Sequence, residues 1–135
     1  MTHRVLQPAH WARPRGYANG VAVTLARGRQ VFVAGMIGWD AQGQFQSDDL
    51  VAQVRQALAN ALEVLAEAGA RPKHIVRMTW YLTDKREYLR RGKEIGAVFR
   101  ELIGSFNTAM TAVQVVALIE DRAQVEIEVT AVIPD

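Results

Sequence analysis

The chain has 135 residues, of which 50% are hydrophobic and 22% charged, with a formal net charge of +2. These values are ordinary for a globular protein, so we predict a single domain over residues 1–135. The absence of cysteine excludes disulfides and thiolate metal sites. His3, His10 and His74 are too widely spaced to predict a metal site, and we expect no cofactor.

The distribution of charge and hydropathy also argues against two kinds of partner. The arginines are spread along the chain without a basic run, which disfavours nucleic acid. No apolar segment approaches the ~20 residues of a membrane-spanning helix. The N-terminus shows no basic segment followed by an apolar one, so no signal peptide is visible. We therefore predict a soluble, cytoplasmic protein.

The first predicted elements in chain order are strands. Residues 21–25 and 30–37 flank the turn Arg27-Gly28-Arg29, and this pattern predicts a hairpin. An extra short strand is an option near residues 4–6.

Two helices follow. Apolar residues recur at helical spacing from Leu50, where Ser47 or Asp48 can cap the start and Gly69 suits the left-handed end. A second helix is predicted from Asp84, with Glu87 at capping-box spacing, to residue 104. Two glycines at 92 and 96 weaken this helix, and a closely approaching neighbour would explain them.

The remaining strands are predicted at residues 75–82, 111–118 and 124–133, the last two as a hairpin-like pair. The resulting order β-β-α-β-α-β-β favours a mixed sheet with two helices on one face. The other face would stay open and would include Gln114, Glu126 and Glu128. Carboxylates there are costly unless that face meets water, a polar cleft or a subunit boundary. An uncovered face of this kind is a candidate oligomer surface.

Five segments, in order along nearly the whole chain, carry a family resemblance. They are Gly16-Tyr17-Ala18-Asn19-Gly20-Val21, Val31-Phe32-Val33-Ala34-Gly35-Met36-Ile37-Gly38, Gln56-Ala57-Leu58-Ala59-Asn60, Leu65-Ala66-Glu67-Ala68-Gly69-Ala70, and Val125-Glu126-Ile127-Glu128 followed by Ala131. These segments resemble the Rid (YjgF/YER/UK-type) family of small proteins related to the imine deaminase RidA.

The resemblance implies a chorismate-mutase-like α+β fold and a homotrimer whose sheets form a central barrel, with ligand clefts between subunits. In the deaminating members, an arginine on the penultimate strand grips the substrate carboxylate with two parallel hydrogen bonds. A glutamate on the last strand positions or activates the water that attacks the C=N carbon of an imine. The products are a 2-keto acid and ammonia.

Carried over residue by residue, the glutamate falls on Glu126, which we predict to be catalytic. The loop tyrosine falls on Tyr17 and the glycine of the pocket strand on Gly35, both predicted to bind substrate. Two positions depart from the family pattern. Ala34 replaces a hydroxyl-bearing residue and Met110 replaces the arginine, and we predict that these two positions also bind substrate. Methionine cannot hold a carboxylate and suits apolar ligands or packing, so the chain resembles Rid subgroups without the arginine.

Three functions remain open at this point. The first is an imine or enamine deaminase of altered or lost specificity, for which a substrate without a carboxylate is expected. Whether Arg13 or Arg15 takes the place of the missing arginine stays open. The alternative is a non-catalytic homotrimer that binds a small metabolite. Endoribonuclease activity, ascribed to some relatives, ranks last because nothing resembles a ribonuclease histidine pair or a basic aromatic platform.

Overall fold

The computed structural model describes residues 3–15, 17–104 and 108–135, and its core is one mixed six-stranded sheet. The strands are β1 (His3–Leu6), β2 (Gly20–Thr24), β3 (Arg29–Ile37), β4 (Ile75–Leu82), β5 (Ala109–Gln114) and β6 (Val125–Ile133). The helices are α1 (Leu50–Glu67), α2 (Lys85–Arg90) and α3 (Gly92–Leu102), with a short 3₁₀ helix at Pro72–His74. The predicted α+β class and six-stranded sheet are confirmed, including the optional first strand.

The strand order is β1-β2-β3-β6-β4-β5. The predicted hairpin between β2 and β3 is present, and β6 lies antiparallel between β3 and β4. Because both neighbours of β6 are antiparallel to it, β3 and β4 are parallel to each other, as the α1 crossover favours. The predicted pairing of the last two strands is wrong. Strand β5 pairs in parallel with β4, which separates it from β6.

The N-cap of α1 lies one residue after the later of the two predicted caps. The Asp49 carboxylate accepts a hydrogen bond from the Ala52 N–H at 3.0 Å, which makes Asp49 the N-cap in place of Ser47 or Asp48. Ser47 instead accepts a bond from the Asp49 N–H. The predicted helix end is confirmed, since Gly69 has a φ of 76° and follows directly on the cap residue.

The predicted second helix is divided into α2 and α3 at Arg91. Asp84 caps α2 as predicted, accepting bonds from two backbone N–H groups. The Arg91 side chain bonds Asp49, Glu87 and Glu94, so one guanidinium joins the start of α1 to both shorter helices. The expected close neighbour of Gly92 is absent among the described atoms, because a Cβ built there would meet none within 4 Å.

The three helices cover one face of the sheet and bury its alternate side chains. On β6 the inward residues are Val125, Ile127, Val129 and Ala131, each at most 2% exposed. Glu126 and Glu128 lie on the uncovered face, as the alternation predicts. On β4 the alternation is broken at the start of the strand, where a register shift between Ile75 and Arg77 buries Ile75 and leaves Val76 exposed.

Gln114 was predicted on the open face with the two glutamates, and this placement is wrong. Gln114 is registered with the buried Leu82, so both side chains project toward the helices. Its Oε1 accepts a hydrogen bond from the Lys85 N–H at 2.8 Å, at the first residue of α2. The open face of β5 is therefore formed by Ala109, Thr111 and Val113.

Candidate functional site

A β-bulge in β3 shapes the site. The pair Val33–Val129 is followed by Met36–Ile127, so β3 has one more residue than β6 over this interval. The extra residue falls at Ala34 and Gly35, where the ladder is interrupted. A glycine within a strand is common at such a bulge.

Glu126 lies directly beside Gly35 on the open face. A Cβ built at Gly35 would stand 2.5 Å from the Glu126 Oε2 and 2.6 Å from its Cδ, so the carboxylate occupies space that any other residue would fill. The Glu126 side chain is half-buried and makes no hydrogen bond or ion pair within the described residues. Burial, and then the nearby Glu128 charge, raise the pKa of Glu126 above its ordinary value.

Glu128 has a different environment, although it is one pleat further along the same strand face. The Tyr81 hydroxyl donates a hydrogen bond to the Glu128 Oε1 at 2.9 Å, and Tyr81 itself is registered with Glu126. This hydrogen bond, followed by burial and the two carboxylate charges, raises the pKa of Tyr81. The two carboxylates are thus distinguished, because only Glu128 has a partner in the described chain.

Glu126 opens into a cavity of about 650 Å³. The segment before β2 forms one wall, the bulged end of β3 and the loop after it form another, and Ile119 and Glu120 complete the rim. The cavity lining includes three of the four predicted substrate residues together with the predicted catalytic residue: Tyr17, Ala34, Gly35 and Glu126. Gly16, the first residue of the opening-loop motif, lies outside the described residues.

Met110 is placed elsewhere in the protomer. It is registered with Met78 on β4, whose side chain is fully buried under the helices, so Met110 projects toward the helix side. There it is 45% exposed and lines a groove with Trp80 and Phe99. A single copy of the chain therefore does not bring Met110 and Glu126 into the same cavity.

Arg13 and Arg15 do line the Glu126 cavity. Both side chains are exposed, and neither forms an ion pair or side-chain hydrogen bond within the part of the chain that the structure describes. The cavity thus combines the half-buried Glu126 with two arginines that have no partner in the described chain, and two further acids, Asp40 and Glu120, also line it.

Two buried asparagines organise the cavity walls, and sequence reasoning did not single them out. The Asn60 side chain on α1 donates to the carbonyls of Ile37 and Trp39, at 3.0 and 2.8 Å, and so holds the end of β3 against the helix. The Asn19 backbone carbonyl accepts the Ala34 N–H at 2.7 Å, while the Asn19 side chain donates to the Gln7 Oε1 at 2.7 Å. Asn60 interrupts the apolar stripe of α1, and a buried amide is normally hydrogen-bonded. Its position in the sequence was therefore the signal that could have indicated this contact.

Neither a metal site nor a membrane-spanning helix is found in the part of the chain that the structure describes. Within residues 3–15, 17–104 and 108–135, no group of three or more His, Asp or Glu side chains is placed to hold a metal ion. No helix in the same ranges is long and apolar enough to span a membrane.

The sequence is similar to a known protein family and to named relatives. The sequence model of the family described as Endoribonuclease L-PSP matches residues 12–133. The 2-iminobutanoate/2-iminopropanoate deaminase of Capra hircus is 32% identical over 105 residues, which cover 77% of this chain and 73% of the relative.

Two solved structures show the same fold. A YjgF/YER057c/UK114-family protein of Mycobacterium tuberculosis is 34% identical, with 86% of each chain covered and a TM-score of 0.68. Escherichia coli TdcF, solved with bound serine, is 26% identical with a TM-score of 0.76, covering 96% of this chain and 98% of TdcF.

The mixed six-stranded sheet covered by helices on one face therefore places the chain among small α+β proteins of this fold. The chain belongs to the Rid family, also known as the YjgF or RutC family. The family prediction made from its five segments is confirmed.

The raised pKa of Glu126 leads to a prediction about stability. Its carboxyl retains a proton in the folded state at pH values where the unfolded chain, with an ordinary pKa near 4.5, has released it. The Glu126 contribution is therefore fully present below pH 4.5 and is lost as the pH rises through the raised pKa. We expect wild type to lose stability relative to Glu126→Gln across this window, with no further change above it.

Urea unfolding of both proteins over a series of pH values measures this difference. The carboxylates with lowered pKa values, such as Asp49 and Glu87, act in the opposite direction but are common to both proteins and cancel. A difference that stays constant with pH would contradict the assignment.

Proposed function

We propose that the protein hydrolyses the C=N bond of a small imine in the Glu126 cavity. One observation carries the proposal: a half-buried acid with a raised pKa and no partner in the described chain faces a cavity beside a bulged glycine. The reaction class is taken from the goat relative, which is named as a deaminase of 2-iminobutanoate and 2-iminopropanoate.

The chemistry needs one group that can exchange a proton near neutral pH. As an acid, Glu126 protonates the imine nitrogen, and as the resulting carboxylate it removes a proton from the attacking water. The hydroxide adds to carbon to give a neutral carbinolamine. Glu126 then returns this proton to the nitrogen and, as ammonia leaves, takes the proton of the carbinolamine hydroxyl, which leaves the carbonyl product. One imine and one water are consumed, and Glu126 ends in its starting protonation state.

Arg13 and Arg15 are proposed to bind the anionic part of the substrate. They line the Glu126 cavity in the protomer, whereas Met110, at the position of the family arginine, cannot hold a carboxylate. A guanidinium can hold a carboxylate by two parallel hydrogen bonds, so either residue can supply the missing interaction. Tyr17 and the backbone at Ala34 and Gly35 would complete the substrate contacts.

Stopped-flow turnover of 2-iminobutanoate, generated in situ by a dehydratase, tests the proposal. We expect hydrolysis faster than the spontaneous rate, and KM raised about tenfold or more in Arg13→Ala or Arg15→Ala, as the loss of a charge-assisted hydrogen bond implies. A wild-type rate equal to spontaneous hydrolysis would reject deamination of this substrate. Unchanged KM in both variants would reject only the role of the arginines.

We propose a homotrimer, in which Met110 of one copy borders the Glu126 cavity of the next. The uncovered sheet face supports an assembly, because it exposes the large apolar side chains Phe32, Val113 and Val132 beside Glu128. Light scattering that gave the mass of a single protomer would contradict this arrangement.

A non-catalytic metabolite-binding role is the second candidate. It is favoured by Ala34, which has no hydroxyl and whose N–H is already bonded to the Asn19 carbonyl, so the cavity offers a bound intermediate fewer donors. Thermal shifts with small acids but no turnover would support this role. Endoribonuclease activity ranks last, because His10 contacts Glu63 and His74 accepts the Arg71 N–H, so neither forms a ribonuclease-type pair.

A further inference from the structure

The Glu126 cavity is larger than a small imine requires. Its volume is about 650 Å³, and pockets of roughly 300–1,000 Å³ typically hold ligands of drug size. An imine such as 2-iminobutanoate would occupy the surroundings of Glu126 and leave the rest of the cavity to solvent. The remaining lining includes two tryptophans, Trp11 and Trp39, to which the proposed chemistry assigns no role.

Trp39 lies just beyond the end of β3 and is held in place by its own loop and by α1. Its backbone carbonyl accepts a hydrogen bond from the Asn60 side chain at 2.8 Å. Its ring packs against Phe45, with the ring centroids 6.0 Å apart and the planes tilted by 50°, and the two residues also form a β-bridge. These contacts fix the indole and leave part of it exposed at the cavity wall.

Trp11 forms a second part of the aromatic wall. Its indole N–H donates to the Glu63 Oε2 at 2.9 Å, and its side chain packs against the core. The Ala12 N–H donates to the Ala41 carbonyl at 2.8 Å, which joins the segment carrying Trp11 to the loop that follows Trp39. Because its N–H already has an acceptor, Trp11 offers a ligand the apolar surface of its ring.

Trp39 is close enough to Glu126 for both to contact one ligand. Ile37 is registered with Glu126 across the β3–β6 ladder, and Trp39 follows Ile37 by two residues. An extended chain advances about 3.3 Å per residue, so Trp39 lies roughly 7 Å along the chain from the level of Glu126. A ring attached to the imine carbon by a short linker can therefore reach the indole while the C=N group stays at Glu126.

The acids near Trp39 do not provide an alternative, cationic ligand site. Both Asp40 carboxylate oxygens already accept hydrogen bonds, from two backbone N–H groups of its own turn and from the Gln46 side chain. Glu120 is exposed at the rim, where water and salt screen its charge. The surface that stays available for a ligand at this end of the cavity is therefore mainly aromatic.

We propose that Trp39 and Trp11 form a subsite for an aromatic group, so that the substrate is an imine whose carbon carries an aromatic substituent. The aromatic body packs on the two indoles, which add ring–ring attraction to the burial of apolar surface. Glu126 then acts on the C=N group of the same molecule. The subsite deepens the proposed function and rests on it for turnover, whereas ligand binding at the two indoles does not require turnover.

Turnover of two imines formed by the same enzyme tests the specificity. An L-amino-acid oxidase with catalase forms 2-imino-3-phenylpropanoate from phenylalanine and 2-iminobutanoate from 2-aminobutanoate. We expect kcat/KM to be about tenfold or more higher for the phenyl imine, because added apolar groups that fit a pocket give at least this preference. Trp39→Ala should reduce the preference about tenfold, and Trp39→Phe, which keeps an aromatic ring, should retain most of it.

Binding of two stable acids tests the subsite without turnover. The probes are 3-phenylpropionate and butanoate, followed by calorimetry and by the indole N–H signals in ¹⁵N–¹H spectra, assigned with single Trp→Phe variants. We expect the phenyl acid to bind about tenfold or more tightly than butanoate and to move the signals of Trp11 and Trp39. Trp80, buried on the helix side of the sheet, is the third indole and serves as the reference.

These measurements separate the subsite from the proposed reaction. Hydrolysis of 2-iminobutanoate with no preference for the phenyl imine, or an equal loss of both activities in Trp39→Ala, would overturn the subsite and leave the reaction in place. Tighter binding of the phenyl acid with shifts at Trp11 and Trp39, but no hydrolysis of either imine, would support the subsite and reject the reaction. Equal binding of the two acids, or shifts confined to Trp80, would overturn the subsite whatever the turnover.

Discussion

Glu126→Gln should reduce the rate of imine hydrolysis by about 10²–10⁴-fold, the range that one positioned acid or base contributes. Glutamine keeps the size of the side chain but can neither give nor take a proton at neutral pH. The measurement is stopped-flow turnover of 2-iminobutanoate by wild type and variant at the same pH. The fold should be retained, because the change removes a half-buried acid that has no partner in the described chain.

Glu128→Gln is the matched control for this experiment. Glu128 is on the same strand face, but its carboxylate accepts from Tyr81 and raises the pKa of Glu126 only through its charge. Removing that charge should lower the pKa of Glu126. Because the reaction begins with Glu126 protonated, the alkaline limb of the pH–rate profile should move to lower pH, with little loss of maximal rate. Equal losses in the two variants, or wild-type turnover by Glu126→Gln, would contradict the catalytic assignment.

Gly35→Ala should produce a loss comparable to that of Glu126→Gln. The added methyl group would occupy a position 2.5 Å from the Glu126 Oε2 and 2.8 Å from its Cγ, so the glutamate side chain must move away. Gly35 has no positive φ, and the atoms that must move belong to a side chain. The substitution should therefore misplace the acid while leaving the protein folded, which circular dichroism and thermal melting can verify.

The double variant Gly35→Ala/Glu126→Gln separates this mechanism from a general disturbance of the site. If alanine acts by displacing Glu126, the double variant should be no slower than Glu126→Gln alone. Additive losses would mean that Gly35 contributes independently, for example through backbone contact with the substrate.

Local sequence patterns predicted much of the fold. Alternation on β6 placed Val125 and Ile127 inward and Glu126 outward, and helical spacing with Gly69 located α1 and its end. These features depend on interactions between residues close in sequence, or on one strand having one buried face. The Rid resemblance then indicated Tyr17, Ala34 and Gly35, which the structure brings together with Glu126 at one cavity.

The remaining features depend on contacts between distant segments. Nothing local to Gln114 shows that β5 pairs in parallel with β4, yet that register turns Gln114 toward α2 and Met110 toward the groove. The division of the second helix is similar, because Arg91 at the break bonds Asp49 at the start of α1. Which member of Ser47, Asp48 and Asp49 serves as the cap depends on where the chain enters the helix.

Strand β5 is an edge strand of the sheet, and its composition has a consequence for aggregation. All six of its residues are exposed, and Ala109-Met110-Thr111-Ala112-Val113-Gln114 contains neither a charged residue nor a proline. Natural proteins protect such edge strands with lysine, proline or a covering segment, because unpaired backbone N–H and C=O groups can pair with strands of other chains. An uncovered β5 edge should therefore favour fibril-like, strand-to-strand self-association as the protein is concentrated.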